Sequence, residues 1–160
     1  MTTETTTTDD RRTIVVWADI AIPPERVLAA VCDFTDRRPT VFPAVSMRHM
    51  TTHSLGGTTA DVTEGTRVGP FVFWERCTYD WSRPGIVTAT VTDANVYAFP
   101  GSRWDLTATA TEQGSHVEMV WTRIFQRNLR GRIMGFVYRH FGKRTFTKYG
   151  HEVAENLEKY

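Results

Sequence analysis

The apolar residues of this chain follow two different periods, and the changes between them mark the elements. From Thr13 to Ile22 ("TIVVWADIAI") β-branched and aromatic residues crowd a run that stops at Pro23-Pro24. That composition predicts a strand ended by proline. Proline also suits the first turn of a helix. In "PPERVLAAVCDF", Val27, Val31 and Phe34 stand three and four apart with Ala30 beside them, which predicts a short helix. "TDRRPTVFP" adds another helical turn or two, broken at Pro39 and Pro43. From Val45 the texture becomes that of strands, predicted at about 45–53, 58–65, 70–81, 86–97, 102–112 and 116–127. The breaks are Gly56-Gly57, Gly65 to Gly69, Pro84-Gly85, Pro100-Gly101 and Gln113-Gly114, turn residues at the regular intervals of an antiparallel meander. From Arg130 to Tyr160 the helical period returns: Ile133, Val137, Phe141, Tyr149, Val153 and Leu157 recur at threes and fours or their sums.

The order is one strand, two short helices, six strands and a long helix. This predicts an α+β fold in which a curved antiparallel sheet of about seven strands wraps around the final helix. Such a sheet needs a cover for its buried face, and only the last helix is long enough. The threonine-rich residues 1–12 are expected to be a disordered tail, and residues 13–160 a single domain.

Composition narrows the function classes. The chain of 160 residues has a formal net charge of +1, far from the strongly basic balance of a nucleic-acid binder. No apolar run approaches the ~18–20 residues that span a bilayer. The opening Met1 to Asp10 lacks the basic start and apolar core of a secretory signal, and the two cysteines, Cys32 and Cys77, read as reduced and buried. A cytoplasmic protein is the expectation. No phosphate-binding glycine loop or nucleophile elbow occurs. His49 and His53 stand four apart, about 13 Å on a strand, too far to share a metal. Neither a metal nor a cofactor is expected.

The stretch "GPFVFWERCTYDW" holds the candidate chemistry. Its odd positions are Phe71, Phe73, Glu75, Cys77, Tyr79 and Trp81; its even positions include Val72, Trp74, Arg76, Thr78 and Asp80. The odd set is the more apolar, so alternation turns it inward and takes Glu75 with it. A buried carboxylate needs a partner. Arg123 is available, on one strand face with Val117, Met119, Trp121 and Phe125. Trp104 in "GSRWDL" shares a face with Leu106 and Ala108 and belongs to core or cavity wall. Glu64 and Asp93, near strand ends, read as turn or rim residues before bases.

The element order, with "IPPERVLAAVCDF", "ERCTYD", "GSRWDL" and the C-terminal helix, resembles the helix-grip fold of the START and birch-pollen-allergen superfamily. More narrowly it resembles the polyketide cyclase/dehydrase and lipid-transport branch, over roughly residues 13–158. The resemblance implies a different phase for the aromatic strand: Arg76 would face the cavity and hold a substrate carbonyl or enolate oxygen, and Glu75 or Tyr79 would move protons. A bulge near Gly69-Pro70 would set the phase. The chain departs from the cyclase pattern at Trp74, where a serine is usual, and at "Phe42-Pro43-Ala44-Val45", where the cyclases carry "Phe-x-x-Tyr". Valine cannot move a proton.

The leading reading is a protein that binds a small hydrophobic or aromatic ligand, lipid- or polyketide-like, in an internal cavity. Its expected wall is Phe73, Trp74, Trp104, Trp121, Arg123 and Phe141. The alternative is an aromatase/cyclase or dehydratase acting on a poly-β-ketone through Arg76, Glu75 and Tyr79. A third reading comes from charge. No acidic residue occurs between Glu118 and Glu152, where Arg123, Arg127, Arg130, Arg132, Arg139, Lys143, Arg144 and Lys148 stand among Phe136, Phe141 and Phe146. This fits a solvated helix face, an anionic membrane surface, or a protein partner such as an acyl carrier protein. Gly135, Gly142 and Gly150 cost that helix roughly 1 kcal/mol each against alanine, which implies tight packing or space beneath it.

Overall fold

Alternating burial along the strands produces one continuous inner wall. The computed structural model describes residues 3–8, 11–68, 70–97 and 101–160. Its elements are β1 (Thr3–Thr8), β2 (Arg11–Ile20), α1 (Pro24–Val31), α2 (Arg38–Val41), a 3₁₀ turn (Met47–His49), β3 (Thr51–Gly56), β4 (Thr59–Val68), β5 (Phe71–Asp80), β6 (Ile86–Ala94), β7 (Arg103–Thr111), β8 (Gly114–Ile124) and α3 (Leu129–Lys159). The strands form one antiparallel sheet in the order β1-β2-β8-β7-β6-β5-β4-β3, with α3 against it: the expected α+β helix-grip fold. On the inner face Ile14, Val16, Val117, Met119, Leu106, Val87, Val62, Cys77 and Tyr79 are buried together with Val27, Val31 and Leu157 of the helices.

Three expectations are corrected. The threonine-rich segment is not a featureless tail over 1–12: Thr3–Thr8 pairs with β2, and Arg11 and Arg12 already belong to β2. Threonine is β-branched and strand-prone, so polarity was the wrong guide there. The strand expected at 45–53 begins only at Thr51, because the chain first makes the 3₁₀ turn, with Ser46 N–H donating to the Gly65 carbonyl. Cys77 is buried, as expected, but Cys32 is only half-buried; both are free thiols. The expected breaks at Gly69 and Pro100 lie outside the described residues.

The helix glycines serve contact. Asn128 caps α3 by accepting from Gly131 N–H at 2.8 Å. Further along, a Cβ on Gly150 would stand 2.6 Å from Val16 Cγ1, and one on Gly142 3.4 Å from Ile14 Cδ1. Val16 is fully buried and stiff at χ1, so it cannot swing aside. Gly150→Ala is therefore expected to destabilise by about 1–3 kcal/mol through overpacking, despite the better helix propensity of alanine. Thermal unfolding would show a lower midpoint; a raised one would mean α3 does not press on β2.

Candidate functional site

The two carboxylates of the inner wall come from strand register. In the β4–β5 ladder Ala60 faces Tyr79, Val62 faces Cys77, Glu64 faces Glu75 and Thr66 faces Phe73. Alternation sends this whole set inward, so Glu64 and Glu75 are direct cross-strand neighbours. Like charges so placed repel, and each carboxylate has its own arginine. Arg38 Nε donates to Glu64 Oε1 at 2.6 Å, and Arg123 Nη2 donates to Glu75 Oε1 at 3.0 Å.

The Arg38 cluster is closed. Its guanidinium is 1% exposed. It also donates to the Val31 carbonyl and, at 3.1 Å, to the Tyr79 hydroxyl, while Tyr79 donates to Glu64. The Phe34 and Phe42 rings flank it at 4.8 and 4.2 Å, a stacking that an arginine favours. Burial, followed by the Glu64 charge, pushes the Tyr79 phenol well above its ordinary range. Burial opposes the charge on Arg38, but Glu64, with Tyr79 adding to it, outweighs burial and holds the guanidinium above its ordinary value.

The Arg123 cluster is open. Arg123 is 4% exposed and lies over the Tyr97 ring at 4.6 Å. Among the described residues its Nε and Nη1, and Oε2 of Glu75, have no hydrogen-bond partner. Glu75 holds its proton more tightly than a free glutamate, chiefly through burial, with Glu64 adding to the effect against the opposing Arg123 charge. A carboxylate with a raised folded value contributes stability that is complete below the unfolded value, near 4.5, and is lost as pH rises through the folded one. Unfolding measured from about pH 4 to about pH 8 should therefore show a downward component that Glu75→Gln removes. An identical pH profile in the variant would contradict the assignment.

A cavity of about 320 Å³ lies against this pair. Its wall is aromatic: Phe42, Phe73, Trp74, Tyr97, Trp104, Trp121, Phe146 and Tyr149, with Val45, Met119 and Thr145 between them and Glu64, Glu75 and Arg123 as the charged groups. Of the residues singled out from the sequence, Phe73, Trp74, Glu75, Trp104, Trp121 and Arg123 line this cavity. Others do not. Arg76 points away from the cavity and is held by Asp61, with Nε donating to Oδ1 at 2.8 Å. The phase implied by the resemblance is corrected here, because the irregularity in the β5–β6 ladder gives an extra residue to β6, at Thr92, and leaves β5 alternating. Tyr79 sits in the wall behind Glu64, tied into the Arg38 cluster. Phe141 is 60% exposed on the outer side of α3; its spacing matched Tyr149 and Leu157, but helix phase drifts over such a length.

Sequence reasoning missed Arg38, Tyr97 and Tyr149, and undervalued Glu64. Arg38 did carry a signal: it is four residues from both Phe34 and Phe42. Val45 lines the cavity, so the phenol absent there has no replacement at that position; Tyr97 and Tyr149 supply phenols from other walls.

No family model matches the sequence, and no curated protein matches it. Solved structures do match in shape. The Zhui aromatase/cyclase from Streptomyces sp. R1128 superposes with a TM-score of 0.70 at 12% identity, covering 93% of this chain and 94% of its own. A START superfamily protein from Mycobacterium smegmatis gives 0.67 at 8% identity, with 92% and 94% covered. The ginseng major latex-like protein 151 from Panax ginseng gives 0.63 at 9% identity, with 94% and 97% covered. Together with the sheet order and the long closing helix, these show that the chain has the helix-grip fold that the three proteins share.

Proposed function

We propose that the protein binds one small apolar or aromatic molecule in the cavity, oriented by a polar group on that molecule. The carrying observation is the mismatch at Arg123–Glu75. Two guanidinium nitrogens of Arg123 and one carboxylate oxygen of Glu75 sit buried without partners among the described residues, in an otherwise aromatic wall. Leaving such groups unsatisfied costs about 1–3 kcal/mol each, more for charged ones, and a guest would recover that. Because each arginine is neutralised by its own carboxylate, the site favours a neutral guest. An oxygen of the guest accepts from Arg123, and a hydroxyl or protonated oxygen donates to Glu75. A lipid-like or polyketide-like molecule with a carbonyl or phenol satisfies both.

A second reading is favoured by the same atoms. The Arg123 donors would stabilise a developing enolate, and Glu75, with its raised affinity for protons, would act as acid or base. Under that reading the protein is an aromatase/cyclase or dehydratase of poly-β-ketones, with Arg123 in the role the resemblance gave to Arg76.

Native mass spectrometry of protein purified from its host separates presence from absence of a guest. The expected result is a 1:1 adduct released on denaturation and missing from Glu75→Leu/Arg123→Met. If the adduct is absent from the parent protein, or survives in that variant, the reading fails. Unchanged product formation by Glu75→Gln and by Arg123→Met in a reconstituted polyketide system would remove the cyclase reading alone.

A further inference from the structure

The first half of α3 is amphipathic in the unusual sense: its apolar stripe faces outward. At 100° per residue Leu129, Ile133, Phe136, Val137 and His140 fall within one sector, with Phe141 at its edge. Leu129 is 73% exposed, Phe136 61% and Phe141 60%. The side turned to the protein carries Gly131, Tyr138 and Gly142, which are buried. The stripe runs about 18 Å along the helix from Leu129 to Phe141. Exposed aromatics gathered in one patch mark an interaction site.

The charges beside the stripe choose the occupant. Arg132, Arg139 and Lys143 flank it on one side, while Arg130 near its start and Arg144 beyond Phe141 fall within the same sector. No acidic residue occurs in α3 before Glu152. Where the stripe ends, His140, Lys143, Arg144, Thr147, Lys148 and His151 line a shallow depression. A second copy of the chain would bring this cationic surface against itself. An anionic lipid surface accepts both parts: phenylalanines enter the acyl boundary, and Arg and Lys stems lie along it with their heads at the phosphates.

We propose that the outward face of α3 from Leu129 to Arg144 docks the protein on an anionic lipid surface. The inference does not rest on what fills the cavity, since neither Phe136 nor Phe141 lines it.

Co-sedimentation with vesicles tests it. Vesicles of phosphatidylcholine with phosphatidylglycerol are compared with phosphatidylcholine alone. The full chain is expected to partition at least tenfold more strongly onto the anionic vesicles, and to be released by salt. Each basic group near such a surface contributes roughly fivefold, so Arg139→Gln/Lys143→Gln should lower binding by at least tenfold. Phe136→Ser/Phe141→Ser should do the same with an unchanged thermal midpoint, because both side chains are exposed, and with cavity binding of an aromatic phenol retained. No partitioning onto anionic vesicles overturns the proposal, as does partitioning that the phenylalanine substitutions leave intact. Binding through this stripe to an acidic protein, with acyl carrier protein as the probe, and not to vesicles overturns it too.

Discussion

Arg38→Leu is expected to lower the unfolding free energy by about 3–5 kcal/mol, the range for stripping one partner from a buried ion pair. The reason lies in what Arg38 satisfies. It supplies the cation for Glu64, a donor for Tyr79 and a donor for the Val31 carbonyl at the end of α1. Leucine fills much of the volume but donates nothing, and Glu64 is left facing Glu75 across the ladder. Stability of about 5–15 kcal/mol is usual for a domain, so the variant should unfold at much lower urea or fail to accumulate. Glu64→Gln added to Arg38→Leu should recover part of the loss, since a neutral amide no longer repels Glu75. Urea unfolding followed by tryptophan fluorescence reads both. A loss under 1 kcal/mol for Arg38→Leu would mean the cluster is reached by water.

The second large effect separates fold from function. Arg123→Met alone should destabilise by about 3 kcal/mol, because Glu75 keeps its burial and loses its cation. Replacing both partners, in Glu75→Leu/Arg123→Met, should restore most of that, as apolar side chains of similar volume often match a buried pair in stability. Guest affinity should not return. Hydrogen bonds to charged groups are worth about 1.5–3 kcal/mol, so the double variant should bind a neutral phenolic guest roughly ten- to a hundredfold more weakly. Equal affinity in a stable double variant would show that the pair is structural only.

The fold was legible because its signals are periodic. Proline and glycine punctuate the strand runs, and the helical period of the last element recurs along α3, Leu129–Lys159. Four of the six expected ligand-wall residues, Phe73, Trp104, Trp121 and Arg123, follow from strand alternation, whereas Trp74 lines the cavity from the even face of β5. The charged pair was legible too: the odd face of β5 is the inner one, and Glu75 meets Arg123 as the residue types required. The error came from letting resemblance override phase at Arg76, when the ladder irregularity belongs to β6. Arg38 was overlooked for another reason: its spacing from Phe34 and Phe42 was a signal for ring contact but not for burial. Nothing local says that a four-residue helix, Arg38–Val41, will be pressed under a sheet; tertiary packing decides that arginine is buried. Phe141 was lost to helix geometry, since inward and outward faces of α3 are both partly apolar.

The most direct test of the account places a guest beside a named atom. Met119 is 1% exposed and lines the cavity, so its methyl group, labelled with carbon-13, reports on the interior. On titration with a panel of fused-ring phenols, the account predicts a saturable shift of the Met119 methyl resonance and intermolecular nuclear Overhauser effects to the bound ring. A Met119 resonance that stays fixed while every phenol in the panel either fails to bind or contacts only exposed methyl groups would contradict it.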